Sequence, residues 1–87
     1  MRKQYTGILK QFFYEQLIHT REERRLTQAQ MAKLLEMDER SYVNLDHGKS
    51  GCSSLTLARF LIYCCDDPKT FLEQLRFAFE QEADDAA

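Results

Sequence analysis

Proline and glycine are scarce in this sequence, which has one Pro and three Gly in 87 residues. Both residues interrupt regular structure, so their scarcity favours long helices joined by short turns. No apolar run approaches the roughly 18 residues that a membrane span needs, and the N-terminal residues become polar again too soon for a signal peptide. We therefore expect a cytoplasmic protein with no membrane partner.

The sequence also lacks the residue patterns of disulfide, metal and catalytic sites. The sequence contains three cysteines, Cys52, Cys64 and Cys65. An odd number of cysteines argues against the disulfide framework of a small secreted domain. No Cys-x-x-Cys pair is present, and no fourth ligand completes a zinc site with Cys64, Cys65 and His47. No glycine-rich phosphate loop occurs, and neither His19 nor His47 has a nucleophile at the spacing of a recognised motif. We predict no metal, no cofactor and no enzymatic activity.

What is present is the composition of a folded helical domain. Hydrophobic residues make up 44% of the sequence and charged residues 30%, a balance typical of a soluble globule rather than of a disordered chain. The length suits a single domain. Apolar residues recur at helical spacing in four or five segments. The predicted fold class is all-α, a compact bundle of four to five helices.

Local signals divide residues 1–87 into parts of this single domain. Residues 1–4 are expected to form a basic arm, and residues 5–65 to hold helices 1–4, with the first helix at about 5–24. A C-terminal helix is expected at 67–82, because Asp67 is a good N-cap and Pro68 suits the first helical position. Residues 83–87 would form an acidic, solvated tail.

The clearest local signal marks the start of the second helix. Thr27 is a good N-cap, and Gln30 three residues later can complete a capping box. Leu26 and Met31 stand at the positions of a hydrophobic staple. These independent signals place the N-terminus of the second helix at residue 27.

Asp38 repeats this arrangement as the N-cap of a third helix. Only Glu36 and Met37 separate it from the second helix, and so short a link predicts a helix-turn-helix at 27–48. Gly48 is expected to end the third helix with a positive φ. A fourth helix would then be capped by Ser53 or by the serine after it.

Five side chains share one side of the predicted third helix, opposite Tyr42 and Leu45. At about 100° per residue they cover an arc of roughly 140°. They are Glu39, Arg40, Val43, Asn44 and His47. Such a face suits the DNA major groove, where we expect Arg40 to pair with guanine and Asn44 with adenine. Glu39 would contact a cytosine amino group, and Val43 a thymine methyl group.

The residues around this helix are expected to hold the DNA backbone. They are Gln28, His47, Lys49, Ser50, Arg2 and Lys3. Gln28 stands at a helix N-terminus, where free N–H groups favour an anion. Residues 1–25 carry six Lys or Arg against three acids, whereas residues 66–87 carry two against seven. Any surface that faces phosphate must therefore lie in the first two-thirds of the chain.

Phe77 lies off the apolar side of the predicted last helix. The residues on that side are Phe71, Leu72, Leu75, Ala78 and Phe79. A helix whose apolar residues exceed one face often buries the remainder against a partner chain. We expect a homodimer contact through Phe77, and the alternative is a single exposed phenylalanine without a partner.

The segment from Arg21 to Cys64, about half of the chain, resembles the lambda-repressor-like, Xre-type helix-turn-helix family. The resemblance rests on Arg21, on LTQAQMAKLL, on the spacing of Tyr42, Leu45 and Asp46 to Gly48 and Lys49, and on Ser53, Thr56 and Leu57. It implies a bundle whose third helix enters the major groove, commonly as a dimer on a pseudo-palindromic operator. The positions matching the family's DNA contacts are Gln28, Glu39, Arg40, Asn44, His47 and Lys49. The family often has Gly at the position of Glu36, where the backbone is left-handed.

We therefore predict a sequence-specific DNA-binding transcription regulator, repressor-like, whose partner is double-stranded DNA. Between positions 38 and 50, however, Asp38, Glu39 and Asp46 outnumber Arg40 and Lys49. This excess of acid would repel phosphate. It motivates the alternative function, a helix-turn-helix fold used as a protein–protein interaction module.

Overall fold

The computed structural model describes the backbone of residues 5–86 and the side chains of residues 5–81. Within this part of the chain the secondary structure is helical: α1 (Tyr5–Arg24), α2 (Gln28–Leu34), α3 (Glu39–Asp46), α4 (Ser54–Arg59) and α5 (Pro68–Ala86). A π-helical segment, Phe60–Cys64, continues α4. The predicted all-α bundle of four to five helices is confirmed. None of the described helices is long and apolar enough to cross a bilayer.

The helices begin at the caps that the sequence indicates. The Gln30 N–H donates to Thr27 Oγ1 at 3.1 Å, and the Thr27 N–H donates to Gln30 Oε1 at 2.8 Å, so the capping box is formed. Asp38, Ser53 and Asp67 each accept a hydrogen bond from the backbone N–H three residues later. These bonds satisfy N–H groups that have no partner inside the helix.

α1, α2 and α3 all end in a left-handed turn of the Schellman type. The residues with positive φ are Arg25 (56°), Glu36 (52°) and Gly48 (71°). In each turn the next N–H returns to a carbonyl five residues earlier: Leu26 to Arg21 at 3.0 Å, Met37 to Ala32 at 3.0 Å and Lys49 to Asn44 at 2.9 Å. The left-handed turn at Gly48 was predicted, whereas an arginine at position 25 gives no comparable signal in the sequence.

We expect Glu36→Gly to raise the free energy of unfolding by about 0.5–1 kcal/mol, because a side chain in the left-handed region costs about 1 kcal/mol or more relative to Gly. The variant loses the ion pair from Glu36 Oε2 to Arg59 Nη1 at 3.0 Å, but the glutamate side chain is 70% exposed. An ion pair with so exposed a partner contributes little to the free energy of unfolding. Urea denaturation measures the change. Glu36→Ala is the control, since it loses the same ion pair and keeps the strain; a glycine variant less stable than this control would contradict the prediction.

The hydrophobic core lies where α1, α2, α3, the π-helical segment and α5 meet. Its buried side chains are Phe13, Leu17, Met31, Ala32, Leu35, Tyr42, Leu45, Phe60, Cys64 and Phe71. The Phe60 ring stands between two others, with its centroid 5.2 Å from that of Phe13 and 5.8 Å from that of Phe71. Phe60 therefore couples α1 to α5 through the π-helical segment.

Three features of the second half differ from the sequence prediction. α5 continues to Ala86, past the predicted end at residue 82. Leu72, expected on the buried side of α5, is 53% exposed, since α5 packs mainly against α1 and only a narrow stripe is covered. The change from α to π geometry at Phe60 was not predicted.

Candidate nucleic-acid interface

α3 has a buried side and an exposed side. Tyr42, Leu45 and Asp46 are buried. The predicted DNA-contacting residues lie on the opposite side, where Glu39, Arg40, Asn44 and His47 are exposed and Val43 is half-buried. We call these five residues the α3 face. The helical spacing thus separates the two sides as the sequence predicts, with Val43 at their border.

A buried carboxylate holds α3 in place. Asp46 is 4% exposed. Arg21 of α1 donates to it from Nε to Oδ1 at 3.0 Å and from Nη2 to Oδ2 at 3.3 Å. Gln28 of α2 donates from Nε2 to Oδ2 at 3.1 Å, and the Tyr42 hydroxyl donates to Oδ1 at 2.8 Å. One side chain therefore ties α3 to both α1 and α2 and fixes how the α3 face is presented.

This network sets the ionisation of its members. Burial raises the pKa of the Asp46 carboxyl, but the hydrogen bonds from Gln28, Tyr42 and Arg21 outweigh burial and leave that pKa below its ordinary value of 3.8. Burial and the Asp46 carboxylate raise the pKa of Tyr42 above its ordinary value of 10.0. At neutral pH Asp46 is therefore a carboxylate neutralised by an arginine, and Tyr42 is a protonated donor.

The burial of Asp46 changes the charge of the candidate interface. In the sequence, positions 38 to 50 contain three acidic residues and two basic residues. With Asp46 paired inside the molecule, the exposed charges of this stretch are Asp38 and Glu39 against Arg40 and Lys49. The surface around α3 is therefore close to neutral, and the acidic excess expected from the sequence is absent from it.

Arg40 and Asn44 keep their polar groups available for a ligand. Within residues 5–81 neither side chain makes a hydrogen bond or an ion pair. Asn44 borders a depression of about 330 Å³ between α3 and the loop that leads to α4, and Ser50 contributes to its rim. Lys49 and Ser50, both exposed, follow the left-handed turn at Gly48. The two residues most suited to base pairs thus lie beside the predicted backbone contacts.

The other predicted contact residues have varied positions. Gln28 uses its Nε2 for Asp46, so a phosphate contact from Gln28 would depend on its second amide N–H or its backbone. Phe77 is 62% exposed on α5. Arg2 and Lys3 lie outside the described residues. The DNA contacts of all these residues stay predictions.

The Asp46 network was not predicted, because Arg21, Gln28 and Asp46 belong to three different helices and no spacing along the chain brings them together. One signal for it was present. Asp46 stands four residues after Tyr42, on the apolar side of a helix. A carboxylate at such a position needs a buried partner.

The cysteines do not form a metal site in the structure. Cys52, Cys64 and Cys65 are free thiols, and no group of three His, Cys, Asp or Glu side chains in the described part of the chain is placed to hold a metal. Burial raises the pKa of the Cys52 and Cys64 thiols. The raised pKa favours the protonated thiol, which is the less nucleophilic form.

The α3 face is the feature of this molecule that most clearly indicates a function. It combines exposed hydrogen-bonding side chains with a helix that is fixed on its buried side. Comparisons of the chain with protein-family models, with curated proteins and with solved structures find no match.

Proposed function

We propose that this protein is a sequence-specific DNA-binding regulator that places α3 in the major groove of double-stranded DNA. The observation that carries the proposal is the pair Arg40 and Asn44, which are exposed and make no hydrogen bond or ion pair with the side chains of residues 5–81, on a helix anchored by its other side. The major groove admits one helix and displays a different pattern of donors and acceptors for each base pair. Arginine binds guanine O6 and N7 through two hydrogen bonds, and asparagine binds adenine N6 and N7 in the same way.

The arrangement of α2 and α3 supports a helix-turn-helix. Four residues, 35–38, connect the two helices. The connection includes the left-handed turn at Glu36 and the N-cap of α3 at Asp38. α2 and α3 pack closely together, and Gln28 and Asp46 join them by a hydrogen bond. A helix held this firmly loses little further freedom on binding DNA, so more of its contact energy remains as affinity.

Groups beside the α3 face are suited to the DNA backbone. His47, Lys49 and Ser50 are exposed at the C-terminal end of α3 and just beyond it. Phosphate contacts from such positions fix the register of a recognition helix before bases are distinguished. A homodimer would place two copies of α3 on one DNA site and increase specificity.

The test is selection of DNA by the wild-type protein and by the double variant Arg40→Ala, Asn44→Ala. Each protein is mixed with fragmented double-stranded DNA at near-physiological salt, and the retained fragments are sequenced. We expect the wild type to enrich one motif. Because each bidentate contact contributes about 1–3 kcal/mol of discrimination, the variant should lose at least roughly 30-fold of that preference.

The matched control is Arg76→Ala, Gln11→Ala, which also removes one arginine and one carboxamide. Arg76 and Gln11 are exposed on α5 and α1, and within the described side chains each bonds a glutamate four residues away on its own helix. This control should select the same motif as the wild type, and circular dichroism should show the same helix content in all three proteins. A preference that survives in the Arg40, Asn44 variant would exclude the α3 face as the DNA-contacting surface.

A protein-interaction module is the second candidate, and the near-neutral charge of the α3 face favours it. Phosphate binding normally depends on basic residues and weakens steeply with salt. Wild-type protein that enriches no DNA sequence would support this candidate. A steep loss of duplex affinity between low and physiological salt would contradict it.

A further inference from the structure

An open apolar groove of about 460 Å³ lies between α2 and the π-helical segment. Leu26, Leu34 and Tyr63 supply its apolar walls, and its charged edge consists of Lys33, Glu36 and Arg59. We call it the α2–π groove. It shares no residue with the α3 face, so the proposed DNA contact leaves it uncovered.

The edge of the α2–π groove carries a net positive charge, because Lys33 and Arg59 outnumber the single acidic residue there, Glu36. The Arg59 guanidinium lies 4.6 Å from the centroid of the Tyr63 ring. Its Nη1 pairs with Glu36 at 3.0 Å and its Nη2 donates to the Leu34 carbonyl at 3.0 Å. Lys33 is exposed and makes no ion pair with any other side chain among residues 5–81. A group that fills this groove should therefore be apolar and flanked by a carboxylate.

The same chain carries such a group on α5. Phe77 is 62% exposed, and Glu73 and Glu80, four residues before it and three after it, lie on the same side of the helix. Both glutamates are exposed. Glu80 pairs with Arg76 at 2.8 Å, whereas Glu73 makes no ion pair within the described side chains. Phe77 with its two glutamates thus matches the groove in polarity and in charge.

We propose that Phe77 of one copy binds in the α2–π groove of a second copy, with Glu73 placed against Lys33 of that copy. An exposed aromatic side chain on a helix is a common anchor for helix-in-groove association. The opposite charges would set the orientation of the contact. Two different surfaces meet in it, which distinguishes it from a symmetric contact between two Phe77 rings.

Sedimentation velocity over a range of protein concentrations, without DNA, tests this association. We expect Phe77→Ala to weaken it by about tenfold or more, since a central aromatic anchor contributes most of the binding energy in such contacts. Leu72→Ala is the matched control. It removes another exposed apolar side chain from α5, 53% exposed, and should leave the dissociation constant unchanged. Wild-type protein that stays monomeric at millimolar concentration would overturn the proposal.

A mixing experiment identifies the receiving surface. The variant Phe77→Ala keeps an intact groove, and the variant Lys33→Glu, Tyr63→Ala keeps an intact Phe77. Neither should associate with itself, but an equimolar mixture should form a one-to-one complex, because the Phe77 of one variant fits the groove of the other. A mixture that stays monomeric would overturn the proposal.

The charge pair has its own test. Lys33→Glu should weaken self-association, and a partner carrying Glu73→Lys should restore binding to the Lys33→Glu groove. Failure of this restoration would overturn the placement of Glu73 against Lys33. The DNA-binding variant Arg40→Ala, Asn44→Ala should associate as the wild type does. A failure of the proposed DNA function can therefore be told apart from a failure of the proposed self-association.

Discussion

Asp46→Ala should lower the free energy of unfolding by about 3 kcal/mol, the lower end of the range for breaking a buried ion pair by removing one partner. The lost carboxylate accepts four hydrogen bonds from Arg21, Gln28 and Tyr42. Without it the Tyr42 hydroxyl stays buried and has no acceptor. The lower end of this range applies because the Arg21 side chain is 25% exposed, so solvent can hydrate its guanidinium once the carboxylate is removed. Urea denaturation followed by circular dichroism measures the change.

The control is Asp66→Ala, which breaks a second arginine–aspartate pair in the same protein. Asp66 Oδ1 lies 2.8 Å from Arg24 Nη2, but the aspartate side chain is 85% exposed. Loss of an exposed pair should cost at most about 1 kcal/mol. Equal losses from the two variants would mean that burial of Asp46 does not determine its contribution.

Acid should destabilise the protein through the same carboxylate. Asp46 has a pKa below 3.8 in the folded state, and hydrogen bonds from Ser41 and Thr70 lower the pKa of Asp38 and Asp67 as well. A carboxyl whose folded pKa is lowered contributes its full stabilisation above the unfolded value and loses it as the pH falls through the folded value. Stability should therefore decline from about pH 4 downward. Asp46→Asn should show a shallower decline in the same titration.

Phe60→Ala should lower the free energy of unfolding by about 3–5 kcal/mol, the usual cost of truncating a buried phenylalanine. Phe60 is buried, and its ring contacts those of Phe13 and Phe71. Its removal leaves a cavity that three rigid elements border, so the neighbours cannot collapse into it without moving a helix. Such a loss would remove a large part of the roughly 5–15 kcal/mol by which folded domains are usually stable.

Phe60→Leu is the conservative counterpart of the alanine variant. It keeps an apolar side chain at the same position, so it should cost clearly less than the alanine variant. Phe77→Ala, measured at concentrations where the protein is monomeric, is the exposed counterpart and should change stability by no more than about 0.5 kcal/mol. A loss from Phe77→Ala that matched the loss from Phe60→Ala would contradict the described burial of both rings.

Local chemistry made much of the fold predictable. The caps at Thr27, Asp38 and Asp67 were identified from the sequence because each bond closes within three residues. The buried Tyr42 and Leu45 and the exposed Arg40 and Asn44 followed from helical spacing alone. The candidate site could therefore be placed on one side of α3 before its surroundings were known.

The sequence by itself determined where α2, α3 and α5 begin, that the chain is an all-α bundle, and which side of α3 is polar. Only the tertiary structure decided that Asp46 is neutralised inside the molecule. It also decided that Leu72 is exposed and that α2 and the π-helical segment leave a groove between them. Caps and helical faces depend on residues within one or two turns, so neighbours along the chain encode them. Burial, ion-pair networks and grooves depend on which helices meet, and no spacing within a single helix specifies that.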